Sequence, residues 1–429
     1  MYDVAVIGGG FAGVTAAREA ALRGRSAVLL EARDRLGGRT WSTEWPPAAR
    51  IEYGGAWVHW HQPHTWSELS RAGLAVTLGD DAEVAGWYVD GRRREGTIPE
   101  RDAIAQRGWD AFVDGVDTAL PLPHDPLFAL TRLRRFDRMT ISDRLGELAL
   151  SHEEREVLTA ELESLAHAPL DDAGAVAVLR WHALSGYSLA LTQFTGGRVT
   201  IERGTGALLQ AIAGAAPFER RLATETVAVT QSDGRVEIDT AGGDGCAARV
   251  VVVAVPVNAL GAIEFTPPLS EPKQAAIALG QASRGIKIFI HVGGEPVWHN
   301  SIRPDHPFGY LDTEEIFEDG TQLLIGFGVD AARCEASDPE WVQRQLDEIL
   351  PGYRVLAATA HDWLADRFSS GTWAIHRPGW YEHHHAAMQR PEGRVVLAGS
   401  DLANGWAGFI DGAIESGLRA GAAAARLSA

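Results

Sequence analysis

The chain has little cysteine, almost no lysine and no long hydrophobic run, and each shortage excludes something. Its two cysteines, Cys246 and Cys334, stand outside any CxxC or metal-ligand spacing, which argues against a disulfide framework or a zinc site and fits a reducing, cytoplasmic setting. No apolar run reaches the ~18 residues that a membrane-spanning helix needs. The N-terminus enters a strand pattern at once, without the basic and apolar regions of a signal peptide, so a soluble protein with no membrane partner is expected. Lys and Arg total 39 against 57 Asp and Glu, a net charge of −18. Nucleic-acid binders gather Lys and Arg on one face, so that partner is excluded; a cationic substrate suits the acidic field better. The only lysines are Lys273 and Lys287. The arginine and alanine richness points to a GC-rich genome, and it makes a lysine inside a motif conspicuous.

What is present is enough for two or three domains: 429 residues, 45% of them hydrophobic. Residues 3–7 form a short apolar run, residues 11–23 an unbroken helical stretch stopped by Gly24, and residues 26–30 a second buried strand. Together they make a βαβ unit of about the ~30 residues that a Rossmann half requires. Between the first strand and the helix, Gly8, Gly10 and Gly13 satisfy GxGxxG, with Phe11 and Ala12 between. The first glycine makes the tight turn, the second admits a diphosphate to the helix N-terminus, and the third lets helix and sheet pack closely. Glu31, at the end of the second strand, is spaced to accept hydrogen bonds from a ribose. The cradle alone serves NAD as well as FAD.

Further along, residues 80–195 lose glycine and gain amphipathic patterns, which predicts a helical insertion. Alternating strands follow from 225 to 255, a mixed block from 270 to 380, a last strand at 395–398 and a terminal helix from Asp411. The cluster His383, His384 and His385 is expected on a solvated surface, because adjacent helical residues do not share a face. No metal site is expected.

The segment Glu31-Ala32-Arg33-Asp34-Arg35-Leu36-Gly37-Gly38-Arg39-Thr40 resembles the Arg-x-Gly-Gly-Arg signature of the flavin-containing amine oxidase family. Three more segments extend the resemblance. Tyr53-Gly54-Gly55-Ala56-Trp57-Val58-His59 is similar to the family's second Gly-Gly segment beside the flavin ring; Thr226-Val227 through Val255-Pro256 is similar to its adenine-side strand. Ala398-Gly399-Ser400-Asp401, Trp406-Ala407-Gly408-Phe409-Ile410 and Gly412-Ala413-Ile414-Glu415 are similar to its C-terminal signature. The resemblance implies an α/β fold in which a Rossmann-type FAD-binding domain (1–80, 196–266 and 386–429) interleaves with an α+β substrate domain (81–195 and 267–385), a mixed sheet flanked by helices. It implies that Arg33 and Arg39 contact FAD, that Val227 lies at the adenine, and that Asp401 lies near the ribityl chain. The last helix then aims its N-terminus, with Gly408 to Ala413, at the flavin pyrimidine, where its dipole stabilises negative charge.

The resemblance also assigns the chemistry. Lys287 falls where the family keeps a lysine joined through water to the flavin. Trp373 and Phe409 fall where two aromatic rings sandwich the substrate amine, and His59 faces substrate or flavin, with a packing role as the alternative. An ammonium at Lys287 is suited to stabilising charge when reduced flavin meets oxygen. Thr372 stands where monoamine oxidases tether flavin through a cysteine, so FAD is expected to be noncovalent; the chain also ends at Ala429 without their membrane anchor. Trp57 stands where L-amino-acid oxidases hold an arginine for the substrate carboxylate, which disfavours amino acids.

The implied reaction takes a primary or secondary amine to an imine, hydrolysed to a carbonyl compound, with oxygen reduced to hydrogen peroxide or a redox protein as acceptor. A polyamine oxidase, with Glu68, Asp312 or Glu382 as candidate cation ligands, an L-amino-acid oxidase and a flavin desaturase are the alternatives. A homodimer is common in the family.

Overall fold

A computed structural model describes residues 1–79, 84–197, 199–295, 300–303 and 306–429. The expected domain boundary at 80/81 lies outside these residues. The first strand, β1 (Tyr2–Ile7), leads through Gly8–Gly10 into helix α1 (Phe11–Leu22) and returns as β2 (Ala27–Leu30). β1 pairs in parallel with β2 on one side and with Cys246–Val253 on the other. Val4, Ala5, Val6, Val28, Leu29 and Val250 to Val252 are fully buried, as expected for parallel strands covered on both faces, which read as continuous apolar runs rather than alternating ones.

Among the described residues this sheet has eight strands. The order is Glu264–Thr266, Thr226–Ser232, Arg235–Thr240, Cys246–Val253, β1, β2 and Glu219–Arg221, with Val395–Leu397 also pairing Cys246–Val253. Three distant stretches of sequence therefore build one layer. The C-terminal helix Ile410–Leu427 packs on α1, and the N-termini of both helices emerge at the carboxyl end of the parallel strands. That end is where open α/β sheets bind ligands.

A second, mixed sheet of seven strands among the described residues runs in the order Arg354–Ala360, Ile286–Gly293, Gln322–Gly328, Phe308–Ile316, Asn300–Ser301, Val84–Val89 and Arg92–Thr97. One face, with Ile286, Ile288, Ile290, Leu311 and Leu324, packs on the helix Pro339–Ile349 through Val342, Leu346 and Ile349. The opposite face follows from the period of two: Lys287 lies opposite Phe327, and Phe327 opposite Tyr310, so one row crosses three strands.

The expected helical insertion is corrected at its start. Val84–Val89 and Arg92–Thr97 form a hairpin at the edge of this sheet, turning at Asp90 (φ 53°) and Gly91 (φ 68°). The Asp-Gly pair is a type I′ hairpin signal, legible in the sequence but outweighed there by the helical patterns that follow. Helices begin at Ile98–Val113, and His152–Ala166 opens with a capping box of Ser151 and Glu154. The histidine cluster is also corrected. His383 is exposed, but His385 is fully buried, bonded to Trp380 Nε1 and to the Asn404 side chain, because the chain breaks between two short helices at His384 and turns the third ring inward. Among the described residues no cluster of His, Cys, Asp and Glu could hold a metal, and no helix is long and apolar enough to cross a membrane.

Candidate active site

A continuous cavity of ≈ 1120 Å³ runs from the carboxyl end of the parallel strands to the lysine face of the second sheet. Ligand pockets for one small molecule span roughly 300–1,000 Å³, so this volume suits an elongated group plus a small partner. At one end backbone meets backbone. Gly8 has φ +100°, and a β-carbon at Gly13 would stand 1.8 Å from the Gly8 carbonyl oxygen, so only glycine lets α1 start this close to the strand. Gly10 bridges Gly37, bringing the two glycine-rich turns together. Glu31 accepts from the Gly9 N–H at 2.6 Å and the Arg33 N–H at 2.8 Å, which presents its carboxylate at the cavity edge.

The walls of this half are Gly8, Gly10, Phe11, Ala12, Glu31, Arg33, Gly37, Gly38, Arg39, Gly54, Gly55, Ala56, Gly399, Ser400, Gly408, Ile410 and Ala413. Arg39 donates to the Thr372 carbonyl at 2.7 Å, to Ser400 Oγ at 3.0 Å and to the Asp401 carboxylate. Arg33 is clamped by both oxygens of Asp366 (2.8 and 2.7 Å) and by Ser369 Oγ at 3.0 Å. Two helix N-termini and two arginines thus converge on one narrow channel, a donor set suited to a diphosphate. The missing β-carbons, the paired helix ends and the Glu31 carboxylate fit a dinucleotide of FAD's length.

Four expected site residues stand elsewhere. Gly13 is beneath the cradle rather than in its wall, as its packing role requires. Asp401 is buried behind Arg39; burial raises its carboxyl, but Arg39 and the Val257 N–H (3.0 Å) bring it below the ordinary carboxylate value. It therefore holds Arg39 rather than facing the cavity. Val227 sits on its strand at a register shift that turns its side chain to solvent, 37% exposed, while Glu225 and Thr226 line the cavity. His59 is fully buried off the cavity, its ring stacked on Trp60 at 4.0 Å and edge-on to Phe194, with Nδ1 accepting from the His61 N–H. That packing shields it from any ligand in the cavity.

The other half is made of side chains. Lys287 is buried and donates to the carbonyls of Gly54 (2.7 Å) and Glu52 (3.1 Å), with Nζ 4.7 Å from the Trp57 ring centre. Burial pulls its pKa down to about 8, opposed by Glu314 and Glu52. Trp57 and Phe327 face its ammonium, and Trp373, Trp181 and Phe409 line the same cavity. Trp373 donates from Nε1 to the Leu165 carbonyl at 3.2 Å, and Phe409 stands edge-on to Trp181 and Trp406. The indole hydrogen bond fixes the Trp373 ring, and T-shaped ring contacts fix that of Phe409.

Sequence reasoning missed several wall residues. Phe327, Tyr310 and Glu314 come from strands whose register with Lys287 no local pattern announces. His167 terminates the helix His152–Ala166 in the left-handed region, φ 48°, which costs a non-glycine residue roughly 1–2 kcal/mol. Of the three carboxylates considered for a cation, only Asp312 reaches the cavity. Glu68 pairs with Arg18 at 2.7 Å, and Glu382 with Arg134 and Arg138. Arg101 lines the cavity but is paired with Glu161, so its charge is already answered.

Residues 11–425 match the family model for flavin containing amine oxidoreductases. Pseudooxynicotine dehydrogenase of Pseudomonas sp is 37% identical over 427 residues, covering 98% of this chain and 85% of the relative. (S)-6-hydroxynicotine oxidase of Paenarthrobacter nicotinovorans is 31% identical over 426 residues, covering 97% of each. The solved cyclohexylamine oxidase of Brevibacterium oxydans shares the fold with a TM-score of 0.82 at 22% identity, covering 99% of each chain.

Proposed function

The chain belongs to the flavin-containing amine oxidoreductase family, and from that premise we propose that it oxidises a neutral primary or secondary amine held against Trp373 and Phe409, beside noncovalently bound FAD. FAD-dependent oxidation of CH–NH or CH–NH2 donors follows from membership. When bound, FAD would supply the two-electron acceptor, taking a hydride equivalent from the carbon beside the nitrogen while the nitrogen gives up a proton, and water would hydrolyse the resulting imine to an aldehyde or ketone with release of ammonia or an amine.

The observation that carries the reading is the continuity of the cavity: the glycine cradle and the lysine-bearing aromatic wall open into one space. The cradle residues hold the diphosphate by backbone donors, and Arg39, fixed by Asp401 and Ser400, adds charge there. Lys287 sits at the junction of the two halves and supplies a fixed ammonium near the reacting end. The rings exclude water and receive an uncharged amine better than a zwitterion, because among the described residues of this wall no unpaired arginine waits for a carboxylate. Thr372 lines the cavity and offers only a hydroxyl, which supports noncovalent FAD. Acidic groups at the far end, Asp312 and Glu314, favour arrival of a protonated amine before it loses its proton.

Oxygen is the proposed electron acceptor, yielding hydrogen peroxide. A redox protein is the second reading, favoured by a relative named as a dehydrogenase. The two-sheet layout supports dividing the chain into an FAD part (1–80, 196–266, 386–429) and a substrate part (81–195, 267–385). The unpaired cysteines and the organisms of the relatives support a bacterial, cytoplasmic setting.

Aerobic turnover with a panel of monoamines tests the reading. Equal amounts of carbonyl product and hydrogen peroxide are expected, with FAD released by acid precipitation. Carbonyl product without peroxide transfers the acceptor role to a protein; flavin colour retained in the pellet overturns noncovalent binding; no oxidation of any amine overturns the proposal.

A further inference from the structure

Part of the wall of the cradle half is a loop rather than sheet or helix. Residues 363–371 follow the strand Arg354–Ala360 and close on themselves, the Gly371 N–H donating to the Trp363 carbonyl at 3.0 Å, in the manner of a compact Ω-loop. The base of the loop is anchored. Trp363 is buried and donates from Nε1 to the Tyr53 carbonyl at 3.0 Å, and Asn258 Nδ2 donates to the Ser370 carbonyl at 2.9 Å. Two consecutive positive-φ residues, Ser370 (φ 50°) and Gly371 (φ 156°), turn the chain there.

The tip is held by side chains instead. Asp366 receives Arg33 on both oxygens and also meets His361 Nε2 at 3.1 Å, while Ser369 Oγ accepts from Arg33 at 3.0 Å. Arg367 answers the two oxygens of Glu225 at 2.6 Å each. The Phe368 ring takes a guanidinium from each pair, Arg33 at 5.2 Å and Arg367 at 4.3 Å from its centre. Arg33 and Glu225 stand on neighbouring turns, because the Ala223 N–H donates to the Arg33 carbonyl and the Thr224 N–H to the Glu31 carbonyl, both at 2.8 Å. The tip is thereby pinned across the two turns that wall the cradle, and Arg367, Phe368 and Ser369 line the cavity beside them.

The walls differ in what moving them costs. Strands β1 and β2 and helix α1 carry fully buried Val4, Val6, Val14, Val28 and Leu29, so displacing any of them breaks the core. The loop tip is released by parting two ion pairs. The outer one is weak, since the Arg367 side chain is 68% exposed and solvent screens such a pair. Segments with few buried apolar contacts open locally at the least cost.

We infer that residues 363–371 form a strap that lifts at its tip to admit and release FAD, so that retention of the cofactor is set by ion pairs made between protein and protein. The inference rests on the proposed noncovalent FAD. A strap differs from an ordinary cofactor contact in its kinetics. Weakening a contact made to the bound group speeds release alone. Weakening a pin that closes the wall raises the open fraction, which speeds loading and release together and leaves Kd nearly unchanged.

The test measures both rates by flavin fluorescence, loading on mixing apoprotein with FAD and release on diluting the holoenzyme. The proteins are wild type, Glu225→Gln, Arg367→Gln and the exchanged pair Glu225→Arg with Arg367→Glu. Hydrogen exchange of the amides of residues 363–371, read by mass spectrometry on the holoenzyme, is the second measurement.

Either single variant is expected to speed loading and release alike by about two- to fivefold, the range open to an exposed ion pair, and to raise hydrogen exchange in residues 363–371. The exchanged pair is expected to return both rates, and the exchange, to within about twofold of wild type. Faster release at an unchanged loading rate overturns the inference and makes Arg367 a plain contact to the cofactor. Wild-type rates and hydrogen exchange in both single variants, or no recovery in the exchanged pair, overturn it as well. Each of these results leaves amine oxidation beside noncovalent FAD standing. Flavin that no treatment removes overturns the proposed noncovalent FAD, and the strap with it.

Discussion

The two halves of the cavity are built from different materials. The cradle half is backbone: Gly8, Gly10 and Gly37 bring main chain against main chain, and one missing β-carbon at Gly13 sets the position of a whole helix. The lysine half is side chain: Lys287, Phe327 and Tyr310 form a row across three strands, faced by Trp57, Trp373 and His167 from separate segments. A backbone site tolerates almost no substitution and is indifferent to the substrate. A side-chain wall accepts replacement residue by residue, and each replacement changes what is bound. One chain can therefore keep its cofactor while its substrate changes.

The largest effect separating the halves is expected at Gly13→Ala, whose β-carbon would lie 1.8 Å from Gly8 O. Flavin content measured on the purified protein should fall to a small fraction of wild type, for every substrate alike. Near-normal flavin content would show that the helix can shift, and the contrast would weaken. Arg39→Met comes next, because it leaves Asp401 buried without its cation, a loss of about 3–5 kcal/mol. Asp401 is held below its unfolded pKa of about 3.9, so its pairing contributes fully above that pH and is lost as pH falls through the folded value. In the variant burial without Arg39 leaves the Asp401 carboxyl raised, so chemical denaturation should show the gap between wild type and variant widest at neutral pH and narrowing on acidification as the variant's carboxyl takes up a proton; a gap that does not change with pH would point to another group.

Lys287→Met sharpens the comparison from the other side. Reoxidation of reduced enzyme by oxygen should slow on the order of a hundredfold, the worth of one well-placed charged donor, while FAD affinity and the rate of reduction by amine stay close to wild type. Because burial brings Lys287 to about 8, wild-type reoxidation should decline as pH rises through that value and the variant should show no such step. The smallest effect is expected at Val227→Ala, where an exposed side chain off the cavity is trimmed: FAD affinity should move by less than about 0.5 kcal/mol.

The same contrast explains what was legible in the sequence. Backbone sites need glycine at fixed offsets, so the spacing of GxGxxG, Gly37-Gly38 and Gly54-Gly55 is enough to reveal the cradle. The β1–α1–β2 unit and the terminal helix follow from apolar runs of the right length. The aromatic wall is reached through the family resemblance, because Trp373 and Phe409 carry no local signal of their own. Phe327, Tyr310 and His167 stay hidden: the first two depend on strand register, and His167 on a left-handed turn that brings the end of one helix against a strand more than a hundred residues away. Val227 and His59 depart from expectation for a related reason, since a one-residue register shift or a stacked neighbour decides which way a side chain faces.

The central claim, that one cavity couples an FAD cradle to a wall for uncharged amines, is tested most directly by anaerobic stopped-flow reduction. The flavin should bleach with monoamines or cyclic secondary amines and remain oxidised with α-amino acids, whose carboxylate would meet, among the described residues of this wall, Trp57 and the already paired Arg101. Rapid bleaching by amino acids alone would contradict it.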